Sequence, residues 1–549
     1  MHAKTVVLCA IASACFASCS HAERKPSGKH AESATMKNGS GTLVLTIIDK
    51  SDGTQVPARV LLRDGEGKSH IPKGSTRSAI LNDKWFLSDG GEELDVPAGE
   101  LTIRVERGKE YRGVNEEVTI KPGAKAEHVV TLERWIDMKK RGYLKGENHL
   151  HLKVEWMPAM FAAEDLDFGH TLLWWNGQKL PVPGEEGAIQ DQTFGGVTVP
   201  GSIFDAEVEN AWGAVYLLGL PEQMPLPADK KRPMLDYVKW AREKGALISY
   251  QGGWSAEVLV DALLGYVDVV NVCNNMFHRH RYLGRTGYMN ILDAKGLPMY
   301  EPTAEGMMQL NLESYYRLLN CGLKLAVGAG SATGVKGNPA GYNRAYVRAP
   351  ESATLLEFLD EWRKGRNFVT NGPMIFLAVD GKYRPGDEID FGEQGKSVNV
   401  KVTALSDQPL SSLEIIVNGE VKGSARIGEN CPSAELDLDI KIEEGSWIAA
   451  RATDDDQTLT EEEIQSYIRS VKGKASPENA RKGLTSLRYG HTSPVYVRIG
   501  GKGARVQQSV NEARNMLNAF EPFARKNARE KYLAGILEAL EEARTKLDE

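Results

Sequence analysis

The chain has 549 residues, enough for three or four domains at roughly 150 residues each. Apolar residues make up 41% and charged residues 26%, ordinary globular usage that excludes a disordered chain, a fibrous repeat and a small disulfide scaffold. A formal net charge of −7 without a long basic run argues against nucleic acid or an anionic membrane surface as a partner.

The first element in chain order is an address. Basic His2 and Lys4 precede an apolar run from Thr5 to Phe16, too short to span a bilayer and followed by small residues. This reads as a bacterial signal peptide over residues 1–22. Phe16-Ala17-Ser18-Cys19 has the form of a lipobox that would leave Cys19 lipidated; Ala12-Ser13-Ala14-Cys15 is a weaker copy, and Ser20-His21-Ala22 fits plain cleavage after Ala22. The expected location is therefore the outer membrane as a lipoprotein, or else the periplasm or the exterior. Any membrane contact runs through the lipid. Residues 23–40 read as a flexible tether. Cys273, Cys321 and Cys431 remain in the body, an odd number that speaks against a disulfide framework.

Residues 41–134 carry short strand patterns, Leu43–Ile48, Ala58–Leu62 and Glu100–Val105, separated by Asp52-Gly53, Pro97-Ala98-Gly99 and Lys121-Pro122-Gly123. Such spacing predicts a β-sandwich. Residues 135–374 alternate strand-like runs (Ala246–Ser249, Val267–Val272, Leu323–Gly328) with helical stretches (Met234–Lys244, Leu312–Asn320), which predicts an α/β layer or barrel. Strand patterns return over 375–503 as a second β-sandwich: Val398–Val402, Leu413–Val417 with a hairpin signal at Asn418-Gly419, and Val495–Arg498. A charged helical insertion near Thr460–Lys474 interrupts it. Residues 504–549 form a helical hairpin, its two apolar stripes separated by Pro522. The expected fold class is multidomain α/β plus β.

The strongest chemical signal is Gly146-Glu147-Asn148-His149-Leu150-His151. On a strand, alternate side chains share a face, so Glu147, His149 and His151 would point one way. Two imidazoles and a carboxylate at a strand end can hold a divalent metal; the plainer alternative is a strand with two hydrogen-bonded histidines.

That string resembles the opening "GDxHxH" strand of the PHP (polymerase and histidinol phosphatase) superfamily, and most closely its CehA/McbA-like metallohydrolases. Asp165-Leu166-Asp167-Phe168 resembles the family's "GLDF" step. Glu207, Gly213 and the run Val215–Leu220 resemble "E…GHxxxLGL", Asp268–Val272 resembles "DAIEV", and Arg363–Pro373 resembles "GRxFVTNGP". The likeness covers residues 135–375. Val96–Leu101 also resembles carboxypeptidase-regulatory-like domains. The PHP likeness implies a distorted β/α barrel with up to three metal ions at its strand ends and hydrolysis of ester-type bonds.

Carried over residue by residue, the implied site is reduced. The expected Asp-His pair falls near Trp174-Trp175, one histidine becomes Ala214, another becomes Gln251, and "SDxH" becomes Ser331-Ala332-Thr333-Gly334. His149, His151 and Glu207 survive, enough for one divalent ion, zinc or manganese, that would bring the pKa of water to about 7. Asp205, Glu207 and Glu209 alternate along one strand, so one neighbour could act as general base. Glu209, Glu147 or Gln251 are the candidates for orienting the water.

Trp174, Trp175, Asn176 and Trp254, with Gln251, combine flat apolar faces with amides, as a saccharide needs; the bland alternative is core tryptophan. His278, His280 and Arg281 lie in a basic loop able to replace lost ligands or hold an anion, or merely to face solvent. Gly328–Gly334, containing Ser331, allows close backbone approach to a ligand or is an ordinary tight loop, and Arg344 beyond it could donate at the pocket edge. The expectation is a metal-dependent hydrolase acting on a carbohydrate-derived or ester substrate, with a non-catalytic glycan-binding barrel as the alternative. Paired carboxylates working without metal, as in glycosidases, are a third possibility.

Overall fold

The computed structural model describes residues 39–73, 84–179, 187–278, 281–282, 292, 294–301, 303–428, 430–455 and 487–549. The expected signal peptide, nearly all of the tether, the Thr460–Lys474 insertion and His280 lie outside the described residues.

The chain is an α/β protein of several sheets. Ser40–Asp49 buries every second side chain, as its Leu-Val-Leu-Thr-Ile-Ile alternation demands. It pairs antiparallel with Gly91–Pro97 and parallel with Lys125–Leu132. A second sheet, built on Ala58–Asp64, Gly99–Glu106 and Val114–Ile120, shares one core with it through Leu43, Leu45, Val60, Phe86 and Ile103.

The middle of the chain forms an eight-stranded mixed sheet. Its order is Gln178–Lys179, Gly169–Trp175, Val197–Asn210, Gly213–Leu218, Leu247–Tyr250, Val269–Cys273 and Ala326–Ala329, with Ile189–Phe194 on the side of the third. No closed barrel of strands forms among the described residues. One cause is local: only Ala211 and Trp212 separate Val197–Asn210 from Gly213–Leu218, so the chain must return antiparallel. A parallel return needs a dozen residues or more. The other cause is Tyr143–Gly146, the expected opening strand, which pairs with Arg344–Arg348 instead. That pairing places it in a nine-stranded sheet running through Asn367–Thr370 into Leu487–Thr492 and Ser446–Asp455. Backbone bonds thus bridge the expected boundary between residues 374 and 375.

The gap between the first and last long strands of the eight-stranded sheet is filled by residues 147–152, which belong to no strand. Leu172 N–H donates to Leu150 O (2.8 Å) on one side. On the other, Asn148 and His151 N–H donate to Ala329 and Thr333 O (3.1 and 2.8 Å), and Ala332 N–H donates to His149 O (2.8 Å).

Helices cover the sheets. Ala304–Asn320 begins eight residues before the expected Leu312, because Thr303 caps its first turn by accepting from Gly306 N–H. Leu355–Arg363 carries a full Thr354/Glu357 capping box. At the C-terminus Gln507–Asn527 and Glu530–Asp548 pack as the expected pair, but Pro522 lies inside the first helix and does not end it. Pro522 and Asn518, whose carbonyl loses its donor, are both exposed, so water can take the missing bond. The chain breaks instead at Ala528, where ψ turns to 148°. The pair seats Phe520 and Phe523 edge-on against Trp212 (centroids 5.9 and 5.2 Å). Asn418-Gly419 makes the expected hairpin, with φ of 53° and 90°.

Candidate metal centre

Because the strand stops at Gly146, the alternation that would align Glu147 with His149 and His151 is broken. Glu147 turns away into the 331–341 loop. One oxygen accepts Gly341 N–H (2.6 Å) and the other accepts Ser331 N–H. Both oxygens are engaged, so Glu147 holds the loop and does not face the histidines. Burial, against those two donors, pushes its carboxyl up to about 8. Gly328–Gly334 is likewise a cradle. A Cβ at Gly330 would strike His149 Cβ, and one at Gly334 would strike His151 O. The small residues admit the ligand-bearing segment; ligand approach is not what they are shaped for.

His149, His151 and Glu207 do converge, and their donor atoms lie within 4.8 Å of one another. The two Nε2 atoms are 3.0 Å apart, and Glu207 Oε2 is 2.9 Å from His151 Nε2 and 3.6 Å from His149 Nε2. Glu207 arrives from Val197–Asn210, whose register sets it beside Trp175. Burial opposes its ionisation, but the charges of His149 and His151 outweigh that and hold it at about 2. Burial lowers His149, with Glu207 pulling the other way.

The donor set passes a test for a metal. Glu207 Oε2 is buried and makes no aligned hydrogen bond, although an imidazole nitrogen is 2.9 Å away. Nitrogen and oxygen donors at about 2.0–2.1 Å from a tetrahedral ion stand roughly 3.3–3.4 Å apart, close to the three edges found here. Two histidines and one carboxylate leave a coordination position open. The group can hold one divalent ion.

Surrounding residues orient this group. Tyr216 Oη lies 2.8 Å from His149 Nδ1, and the tautomer with hydrogen on Nδ1 leaves the Nε2 lone pair facing Glu207. The half-exposed Trp175 indole covers His151 (centroids 4.7 Å). Glu209 is solvent-accessible; partial burial and the charge of Glu207 push its carboxyl up, while Trp175 pulls the other way. Lys336 adds positive charge toward both His149 and Glu209. Behind the group, buried His170 has Nδ1 3.7 Å from Asp205 Oδ2, and among the described residues neither atom makes a well-aligned hydrogen bond. Burial first, then the two metal-site histidines, depress His170 to about 3. Tyr216 falls on an unspecified position of the Val215–Leu220 run, and His170 and Lys336 lie in none of the motifs.

The remaining expected residues scatter. Trp174 is only 2% exposed and packs in the core against Tyr237, so it offers no face to a sugar. Asn176 sits at φ 49° and its Oδ1 accepts Glu209 N–H, a turn role. Gln251 donates to Asn275 Oδ1 and the Trp254 indole to Asn311 Oδ1, so both donors are already engaged within the protein. His278 is buried on the short ribbon Phe277–His278, paired with Arg281–Tyr282. Ser331 is fully buried, its hydroxyl accepting Asn343 N–H. Arg344 is buried beneath Gly341 and lines a different cavity. Cys273 and Cys321 are free, buried thiols.

Neither a scan against protein-family models nor a search of the curated proteins returns a match for this chain. No helix among the described residues is long and apolar enough to cross a membrane.

Proposed function

We propose that the protein is a divergent PHP-superfamily, CehA/McbA-like hydrolase with a single divalent metal, zinc or manganese, acting on a carbohydrate-derived or ester substrate. The observation that carries this reading is the convergence of His149, His151 and Glu207, with Glu207 Oε2 left without an aligned partner. The two large sheets are then an opened relative of the family's β/α barrel, with a β-sandwich on either side. A bound ion supplies Lewis acidity toward water and toward the substrate's ester or acetal oxygen. Tyr216 fixes the His149 ring, Glu209 accepts the proton from water, and the Trp175 face receives an apolar sugar surface. The Thr5–Phe16 run and the Cys19 lipobox support an outer-membrane lipoprotein or a periplasmic or secreted protein, with a small molecule or glycan as partner and no role for nucleic acid.

The test is metal analysis of the purified chain, joined to hydrolysis of a panel of chromogenic esters and glycosides. One equivalent of metal per chain is expected, with hydrolysis lost to a chelator and restored by zinc or manganese. Normal folding without bound metal overturns the reading. Bound metal with glycan binding and no hydrolysis across the panel would leave a non-catalytic glycan-binding protein.

A further inference from the structure

A cavity of about 410 Å³ lies apart from the metal group, between the N-terminal sheets, the 339–344 turn and the C-terminal strands. Its walls carry six cations: Arg59, Arg104, Lys109, Arg112, Arg344 and Arg488. Only three carboxylates share the lining, Glu106, Glu164 and Asp407. In a chain of net charge −7, this is a local reversal of sign. His149, His151 and Glu207 are absent from its walls.

The carboxylates are already engaged. Arg59 contacts both Glu106 and Glu164, Arg104 pairs with Glu106 (2.8 Å), and Arg488 pairs with Asp407 (3.0 Å). Arg344 is the most deeply buried of the six. It is 1% exposed, yet among the described residues its guanidinium meets no carboxylate. Its Nε donates to Gly341 O (2.5 Å) and its Nη2 to Glu164 O (3.2 Å), both backbone carbonyls. Its Nη1 is buried and has no hydrogen-bond partner among the described residues. Glu147, the carboxylate that feels this charge, is occupied by Gly341 and Ser331. A buried cation without a counter-ion is costly, and the missing charge is most simply supplied from the cavity. Guanidinium forks also match the planar and tetrahedral oxyanions in shape.

We propose that this cavity binds a small dianionic compound bearing phosphoryl or paired carboxylate groups, at a site separate from the metal centre. The volume falls at the small end of ordinary ligand pockets, which suits a metabolite of one ring or less. Arg112, exposed at the rim, draws the anion in, and Arg344 supplies the fixed charge at the back.

Calorimetric titration of the full chain with inorganic phosphate, malonate and acetate tests this. Phosphate or malonate is expected to bind at one equivalent, at least about tenfold more tightly than acetate, and the tighter of the two identifies the headgroup. Arg112→Glu should weaken that binding about tenfold or more and leave the unfolding midpoint unchanged, because the residue is on the surface. Arg344→Gln should abolish it; should that variant fold poorly, Arg112→Glu decides alone. The double variant His149→Ala/His151→Ala should bind phosphate as the parent does. The proposal is overturned by no binding at 10 mM-scale anion (about the weakest affinity of interest), by an unchanged Kd in Arg112→Glu, or by loss of binding in the histidine double variant, which would put the anion on the metal.

Discussion

The segment from Tyr143 to His151 touches two buried groups of ionisable side chains that solve the same problem in opposite ways. Lys145 belongs to a closed ionic cluster. Its Nζ lies 3.0 Å from Glu110 and 2.9 Å from Asp165, Arg107 reaches Asp165 at 2.8 Å, and Arg134 reaches Glu110 at 2.7 Å. Burial works against Asp165 as a carboxylate, but Lys145, Arg107 and Arg134 outweigh it and hold the group far below the usual range. Four residues on, His149 and His151 face Glu207 with imidazole nitrogens, where the first cluster uses Lys and Arg. Asp261 shows a third solution: among the described residues the Tyr250 hydroxyl bonds one oxygen and the other has no hydrogen-bond partner, and burial pushes it up to about 7. A buried carboxylate is neutralised by cations at Asp165 and by its own proton at Asp261. At Glu207 it is met by two imidazoles, in a group that could hold a metal ion.

The sharpest way to break the comparison is at its closed end. Lys145→Met leaves Glu110, Asp165 and Asp167 short of one buried cation, and removal of one partner from a buried ion network costs about 3–5 kcal/mol. Urea unfolding should show that loss; a loss below about 1 kcal/mol would mean the cluster is not what ties the N-terminal sheets to this segment. Asp261 sharpens the contrast through pH. Its folded pKa is raised, so its contribution to stability is fully present below the unfolded value near 4 and disappears as pH rises through about 7. The slope in that window is at most about 1.4 kcal/mol per pH unit for one group. Unfolding free energies from pH 4 to 8 should fall in the parent and fall less steeply in Asp261→Asn, by one group's share, because Glu147, Asp205 and Glu257 are also raised by burial and keep the rest of the slope. Equal profiles would refute the assignment.

Glu207→Gln addresses the open end. Removing a carboxylate ligand should weaken metal binding by more than about 100-fold, beyond what loss of an outer partner does. The metal-free protein should keep its stability within about 1 kcal/mol, since Gln keeps the shape while the cost of burying the charge and its attraction to His149 and His151 are lost together. Equilibrium dialysis and unfolding in chelator give the two numbers. A metal-free Glu207→Gln protein as damaged as Lys145→Met would make this a structural cluster like the first.

Much of this was readable from the chain, within definite limits. Period-two patterns located Ser40–Asp49 and Leu410–Val417 to within three residues, because sheet faces impose that period directly. The His149/His151/Glu207 trio was legible through a motif. Glu147 was misread because alternation holds only on a strand, and nothing in Gly146-Glu147-Asn148 announces that the strand ends there. Trp174 and Trp175 differ by one position and so by one face of the sheet, which composition cannot resolve: the first is core and the second covers His151. The cationic cavity was invisible because it joins residues as distant as Arg59 and Arg488.

The smallest effect expected is the most diagnostic. Tyr216 contributes a single hydrogen bond, 2.8 Å from its hydroxyl to His149 Nδ1, and its ring packs on the imidazole at 4.4 Å between centroids. Tyr216→Phe keeps the ring and removes only the hydroxyl. If His149 is merely a packed core histidine, the change costs about 1 kcal/mol of stability and nothing else. If its Nε2 is a metal ligand, the lost partner frees the tautomer and the ring orientation, and metal affinity should drop about 10-fold, at the low end of the 10–100-fold range for such partners. The same variant therefore separates the two roles by which measurement moves: unfolding free energy alone, or unfolding free energy together with the metal dissociation constant. An unchanged dissociation constant would mean that Tyr216 does not orient the ring, and would leave Glu207 and His151 as the pair that defines the centre.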